Sequence, residues 1–288
     1  MFYKLLNLYV QKFSFPKRGL KYFLTIIRFL GISDKVFQKK LLGNIVMNLK
    51  PEEHIQQQLF WYGEYEKPLG TVLKYLLRDD TTFIDIGANI GYFSLFVAKS
   101  APNRKIVAFE PVSYLFEALQ KNIALNYIRN IQPVKTAIGE KEEDRLIYLS
   151  ARDNDGMSSL HKPENYSGIN EIVKVIPLDS WFAGSGFTKI DIIKIDVEGY
   201  ELAVLKGMKE VLILFQPHIL LELNPVTLSN FSLTPENVLS YISQLSYKPF
   251  VIGESGKFIT MPAEAINETI NIALIHTERL DSVSNFFE

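Results

Sequence analysis

Residues 82–94, TFIDIGANIGYFS, decide how this chain is read, because they pass from strand to turn to helix in one span. Thr82 to Ile86 is β-branched and aromatic, the composition of a short buried strand, with Asp85 near its end. Gly87 and Gly91 then bracket Ala88, Asn89 and Ile90. Glycines there allow φ > 0 and let a ligand approach without a Cβ in the way. From Tyr92 the apolar residues Phe93, Phe96 and Val97 recur at helical spacing, so the turn leads into a helix N-terminus. Together these features read as a binding site for a small ligand of mixed charge.

A strand, a glycine turn and a helix can serve a nucleotide, a dinucleotide or S-adenosylmethionine, so the turn alone decides little. Its spacing discriminates: neither the G-x-G-x-x-G of dinucleotide folds nor the G-x-x-x-x-G-K-[ST] of phosphate loops can be written onto Gly87 and Gly91. A pyrophosphate also favours a bare helix N-terminus, whereas Asp85 places a carboxylate just before this one. That carboxylate suits a cationic group, such as the amino group of a methionine moiety. The next apolar run, residues 105–109 (KIVAF), reads as a parallel strand buried on both faces and ends on Glu110-Pro111. A carboxylate at such a strand tip accepts from both hydroxyls of a ribose. A solvated acid before a turn is an equally ordinary reading of Glu110.

With FIDIGANIGYFS (83–94), FEP (109–111), IKIDVEGYELAVLKG (193–207) and ILLEL (219–223) in that order, the sequence resembles the class I methyltransferases, and more narrowly the FkbM-type family. The likeness covers roughly residues 63–274. It implies an α/β fold with a Rossmann-like, seven-stranded, mostly parallel sheet and helices on both faces. It also implies S-adenosylmethionine as cofactor and an O-methyltransferase, often acting on sugars or glycosylated natural products. By this resemblance Asp85 and the turn of Gly87, Asn89 and Gly91 hold the methionine end of the cofactor, and Glu110 holds its ribose. Thr136, Ala137 and Ile138 reach the adenine. Asn154, Ser158 and Ser159 become cofactor or acceptor contacts, although their turn-forming composition equally describes an ordinary loop. Trp61, Tyr62 and Glu66 become candidates for the wall of the site, although aromatics in such places are more often core.

The 288 residues can bury one α/β core and still carry an extension, here a basic, mainly helical segment of residues 1–62 before a methyltransferase domain of residues 63–288. There is no cysteine, which excludes disulfides, thiolate metal sites and cysteine nucleophiles. A net charge of -1 gives no argument for a nucleic-acid partner. That average conceals an asymmetry, since residues 1–50 carry ten basic side chains against one acid, Asp34. Within this arm, residues 20–31 (LKYFLTIIRFLG) put Lys21, Thr25 and Arg28 on one helical stripe, with Phe23, Leu24, Ile26, Ile27 and Leu30 around the rest. The run is too short and too charged to span a bilayer, which takes about 20 apolar residues. No small-residue cleavage site follows it, so a secretory signal is not expected. A basic amphipathic helix suits an anionic membrane surface; a helix packed on the domain or on a second subunit is the plainer alternative. The expectation is a cytoplasmic protein with peripheral contact at the inner membrane face.

Further along, residues 113–126 read as a helix with Ser113 as N-cap. Residues 131–138 read as the third strand, 140–145 as a solvated charged turn, and 146–149 with 172–176 as an inserted strand pair. Residues 189–196 form the fourth strand, whose alternation sets Ile192, Lys194 and Asp196 on one face. The fifth, residues 217–223, ends at Glu222, and residues 247–252 and 270–275 complete the sheet as an antiparallel pair. Thr234 and Pro235 mark a helix start as N-cap and first helical residue.

Methyl transfer from a sulfonium is an in-line displacement, so the protein chiefly aligns the acceptor oxygen with the methyl group and excludes water. A general base adds a smaller factor. Asp196 is the first choice and Glu222 the second, with Lys194 orienting base or acceptor. An ammonium beside Asp196 weakens it as a base, so Lys194 has a second role open to it, stabilising a developing alkoxide. His161 could serve as a base but is an isolated loop histidine with no visible orienting partner. Glu198 and Glu201 fall in a first helical turn, where carboxylates offset the dipole; Glu198 is also carried as an acceptor contact. Asp196, Glu222 and Asn224 resemble the oxygen ligands of divalent-metal-dependent catechol methyltransferases and would suit Mg²⁺. A metal-free site is preferred, because acids are expected at the open edge of such a sheet in either case. The expected partner is a small-molecule or glycan acceptor. Two rivals remain: a nucleotide-dependent oxidoreductase, which lacks its pyrophosphate turn here, and a catalytically inactive methyltransferase fold serving as a membrane-surface or partner-binding module. The intact Asp85, Glu110 and Asp196 argue against the second.

Overall fold

The apolar runs assemble into one large mixed sheet whose strand order creates a crevice. The computed structural model of the protein describes residues 20–31, 35–99, 101–149, 158–162, 166, 168–262 and 264–287. The chain begins with helix α1 (Leu20–Phe29), a hairpin of β1 (Phe37–Lys40) and β2 (Val46–Leu49), and helices α2 (His54–Tyr62) and α3 (Lys67–Leu76). Then follow β3 (Thr82–Ile86), α4 (Tyr92–Lys99), β4 (Lys105–Phe109), α5 (Ser113–Leu125) and β5 (Ile131–Val134). An insertion of β6 (Ala137–Ile138), β7 (Glu143–Tyr148) and β8 (Asn170–Ile176) precedes α6 (Leu178–Ser185) and β9 (Ile192–Ile195). The remainder is α7 (Glu201–Lys206), α8 (Lys209–Phe215), β10 (His218–Leu223), α9 (Pro225–Ser229), α10 (Pro235–Ser243), β11 (Tyr247–Ile252), β12 (Phe258–Thr260) and β13 (Ile270–His276).

The main sheet has eight strands in the order β12-β11-β13-β10-β9-β3-β4-β5. From β10 to β5 neighbours run parallel, and β13, β11 and β12 add antiparallel pairs, so the fold is the expected Rossmann-like one. The chain winds outward from β3 to β5 and returns to place β9 against the other side of β3. That reversal opens a crevice at the strands' C-terminal ends, where such sheets bind ligands. Alternate residues cover both faces: Phe83, Ile106 and Ile192 pack in one core layer, and Ile84, Val107 and Ile193 in the other.

Several expectations need correction. Eight strands replace seven: the short edge strand β12 pairs antiparallel with β11, and its Phe258 stacks on Phe286 with ring centroids 4.7 Å apart. The third strand, expected over 131–138, breaks after Val134: the Thr136 N–H turns back to the Val134 carbonyl at 3.0 Å, and Ala137–Ile138 leave for a separate sheet of order β6-β8-β7. Glu143 to Arg145, expected in a solvated turn, begin β7, where alternation buries Ile147 and leaves Asp144 and Leu146 exposed on the other face. Ser113 is the first helical residue of α5, not its cap; its N–H and hydroxyl donate to the Glu171 carboxylate from β8. Thr234 does cap α10, in a reciprocal box with Asn237 and with Pro235 in the first turn. The segment expected to be a mainly helical extension also holds the β1–β2 hairpin, and its Phe37, Met47, Leu49 and Phe60 lie in the same core cluster as Phe83.

Candidate active site

The site is built where β3 ends. Gly87 and Ala88 N–H groups both donate to the Phe109 carbonyl, at 3.1 and 2.9 Å, and the backbone turns through positive φ at Gly87, Asn89 and Gly91. A Cβ on Gly87 would stand 1.9 Å from the Asp196 carbonyl oxygen, and one on Gly91 2.4 Å from Leu119 Cδ1. Gly87 is therefore demanded by the chain's own packing against backbone as well as by the turn, whereas at Gly91 the Leu119 tip can shift and the φ of 89° is what calls for glycine. Glu110 fastens the turn: its Oε2 accepts from the Asn89 N–H at 2.8 Å and its Oε1 from the Val112 N–H at 2.9 Å.

Above the turn lies a cleft lined by Gly87, Asn89, Glu110, Thr136, Ala137 and Ile138, six of the eight positions expected to hold the cofactor. Val112, Leu115 and Ile147 give it apolar walls, and Asp196 and Glu198 stand along it. It encloses about 690 Å³ out to its mouth, and its lining is largely apolar.

Asp85 and Gly91 do not line this cleft. Asp85 is 1% exposed and sits beneath the turn, accepting from the Ser94 hydroxyl at 2.6 Å and facing Lys194 Nζ at 3.9 Å. Burial pushes the Asp85 carboxyl up, while Lys194 and Ser94 oppose the rise. Ser94 was not foreseen, although a hydroxyl inside an apolar helical stripe was a visible signal. Lys194 is also buried, 3.2 Å from Asp196 Oδ2 and over the Phe93 ring. Burial alone would lower its pKa, but Asp196 and Asp85 more than offset that, so it stays charged. The sheet register sets Asp85 directly beside Lys194, which explains the pairing.

Beyond this pair the cleft becomes acidic. Asp196, Glu198 and Glu222 each bring one carboxylate oxygen within 4.8 Å of the others. Oxygens so placed are the donor type a hard cation takes. Glu66 approaches from the start of α3, in a left-handed backbone conformation at φ 43°, and accepts from Asn271 Nδ2 at 2.9 Å. Burial, then the charge of Asp196, raises the carboxyls of Glu66, Glu198 and Glu222. Burial likewise pushes Glu110 up to about 7 and raises the Tyr65 hydroxyl, which four of these carboxylates raise further. Tyr65 and Asn271 had no local signal in the sequence.

The other expected contacts scatter. Asn154 lies outside the described residues. Ser158 lines the cleft, while Ser159 pairs with Tyr148 and points its hydroxyl toward the Glu198 carbonyl at 3.4 Å. His161 does not line the cleft; its ring packs on Phe231, and its Nδ1 is buried with no hydrogen-bond partner among the described residues. Asn224 caps α9, accepting from the Val226 and Thr227 N–H groups, so Glu198 stands in its place beside Asp196 and Glu222. Trp61 is core against Phe60, Tyr62 is exposed and Glu66 stands behind the acids rather than in the cleft lining, so none of the three forms its wall; α2 contributes Ile55 instead.

The profile of the methyltransferase FkbM domain matches residues 85–249. Methyltransferase sdnD of Sordaria araneosa is 29% identical over 167 residues, covering 46% of this chain and 62% of that protein. The AMB antimetabolite synthetase AmbE of Pseudomonas aeruginosa is 26% identical over 216 residues, covering 62% of this chain and 10% of that protein. The chain thus spans less than two thirds of the length of these curated relatives. A solved structure of the methyltransferase FkbM from Methylobacillus flagellatus KT aligns with a TM-score of 0.46 at 17% identity, over 76% of this chain and 52% of that one. With that profile covering more than half its length, from the Asp85 strand tip into β11, the chain belongs to the methyltransferase FkbM domain family.

Proposed function

We propose that the protein transfers a methyl group from S-adenosylmethionine to a hydroxyl of a sugar, glycan or glycosylated small molecule. One observation carries the reading. One cleft brings together apolar walls, the Glu110 carboxylate at a strand tip and, through Asp196 and Glu198, a cluster of acids. Adenine, ribose diol and sulfonium cation call for these three kinds of surface. When bound, S-adenosylmethionine supplies an electrophilic methyl group on a positively charged sulfur. Glu110 is placed to accept from the ribose hydroxyls, and the acidic end favours the cation. The sugar-type acceptor is supported by the four motifs that resemble the FkbM-type family, and the cytoplasm is the compartment we assign.

Within the acidic end, roles divide by environment. Asp196 is engaged by the Lys194 ammonium, whose Nζ donates to its Oδ2 at 3.2 Å and so takes up one of its oxygens. Glu222 is pushed upward by burial and by Asp196, toward the working pH of a proton acceptor. The order of preference therefore reverses: Glu222 takes the acceptor proton, and Lys194 steadies Asp196 and the developing oxygen charge. Replacing Glu222→Gln is expected to leave binding of S-adenosylhomocysteine unchanged and to lower kcat by about 10²- to 10⁴-fold. Calorimetry with that product and turnover with labelled S-adenosylmethionine check both halves. Absence of heat with either cofactor form would overturn the reading. Activity that survives EDTA supports the metal-free site.

A further inference from the structure

Helix α1 turns an apolar face to solvent that no described residue covers. It is fastened to the fold by Ile27, which is buried in the main core, and by Arg28, whose Nε donates to Glu52 at 2.6 Å. At about 100° per residue, Ile27 points away from the arc that holds Tyr22, Ile26 and Phe29. Those three are 76%, 50% and 89% exposed, and Leu30 at the edge of the arc is exposed too. Single exposed apolar side chains are ordinary, but a helical arc of four is a docking surface. The ten described residues of this helix span about 15 Å, enough to lie in a membrane interface and too short to cross one.

Charge says what covers the arc. Residues 1–50 carry ten basic side chains and one acid; Lys39 is buried on the Phe60 carbonyl and Arg28 is paired with Glu52, whereas Lys35 and Lys40, soon after the helix, are exposed. A second copy docked through the same face would bring an equally basic arm against it, which opposes a symmetric pairing. An anionic surface attracts the arm, and Tyr and Phe beside basic residues suit the boundary between headgroups and acyl chains. We propose that α1 is an in-plane anchor that holds this protein on anionic lipid through Tyr22, Ile26, Phe29 and Leu30, with exposed lysines such as Lys35 and Lys40 available to the lipid phosphates. This is independent of the methyl-transfer reading.

The test is co-sedimentation of the full chain with vesicles of equal parts phosphatidylglycerol and phosphatidylcholine, against vesicles of phosphatidylcholine alone. Binding is expected to be at least about tenfold stronger to the anionic vesicles. About 1 M salt, where the Debye length falls to about 3 Å, is expected to weaken it strongly. The triple variant Tyr22→Ser, Ile26→Ser, Phe29→Ser should lose at least about tenfold in binding. Because the three side chains are exposed, its thermal melt should match that of the parent chain. No binding to anionic vesicles, or equal binding by the variant, overturns the proposal. So does a concentration-dependent dimer in gel filtration that the variant abolishes, since the arc would then belong to a second copy.

Discussion

Glu201 illustrates how burial can change the meaning of a residue. From its position in a first helical turn it reads as a carboxylate offsetting the helix dipole. In the fold it is 2% exposed, its Oε1 accepts from the Gly199 N–H at 2.9 Å, and its Oε2 is buried without a hydrogen-bond partner among the described residues. Burial raises it from the ordinary glutamate value of 4.5 to about 7. The native state therefore binds this proton more tightly than the unfolded chain does. Stability from this group is complete below pH 4.5, falls as pH rises from 4.5 to about 7, and stays lost above. The cost at higher pH is of the order of 3 kcal/mol. Glu201→Gln keeps an acceptor for Gly199 and cannot ionise. Its melting temperature relative to the parent should be clearly more favourable at about pH 8 than at about pH 5. An equal difference at both pH values would refute the assignment.

Between elements, the side chains of α5 stand in for a missing strand. The outer edge of β2 bonds to two asparagines one helical turn apart: the Asn48 N–H to Asn122 Oδ1 and the Val46 N–H to Asn126 Oδ1, both at 2.9 Å, with Asn126 Nδ2 returning to the Val46 carbonyl. Asn122, fully buried, also donates to the Ile90 carbonyl at 3.0 Å, inside the turn at the cofactor cleft. One amide thus ties the N-terminal hairpin to the loop that forms the site. Removing it by Asn122→Ala takes a partner from two backbone groups, each worth about 1–3 kcal/mol when left unpaired in the interior. A loss of about 2–4 kcal/mol in urea unfolding is expected, with weaker S-adenosylhomocysteine binding by calorimetry. Unchanged affinity in a destabilised variant would show that the hairpin and the turn are not coupled. In the sequence Asn122 is an unremarked polar position in a helix, because the groups it serves lie 32 and 74 residues away.

For the molecule as a whole, the boundary drawn at residue 63 does not separate two cores. Phe37, Met47, Leu49, Leu59 and Phe60 are all fully buried in the cluster that also holds Phe83 and Leu95. At about 1.5–3 kcal/mol per side chain, burying five of them is worth about as much as the entire stability of an ordinary domain, about 5–15 kcal/mol. A chain cut back to residues 63–288 is therefore expected to lose its cooperative thermal transition, even though it retains every motif of the methyltransferase domain. A sharp melt in that shortened chain, within a few degrees of the parent, would place the hairpin outside the core.

The sequence by itself determined the strand-turn-helix at Gly87 to Gly91, the run of parallel strands and the carboxylate at the tip of β4, because each is written in residues adjacent along the chain. Periodicity also assigned Lys194 and Asp196 to one face of their strand. Only the tertiary structure decided which charges meet. Asp85 went beneath the turn to Lys194 because the register of β3 and β9 is non-local. Glu66 reached Asn271 across 205 residues, and Glu198 took the place expected for Asn224. Those encounters, and the loss of water that raises the acids, depend on segments packed from opposite ends of the chain, which no local pattern encodes.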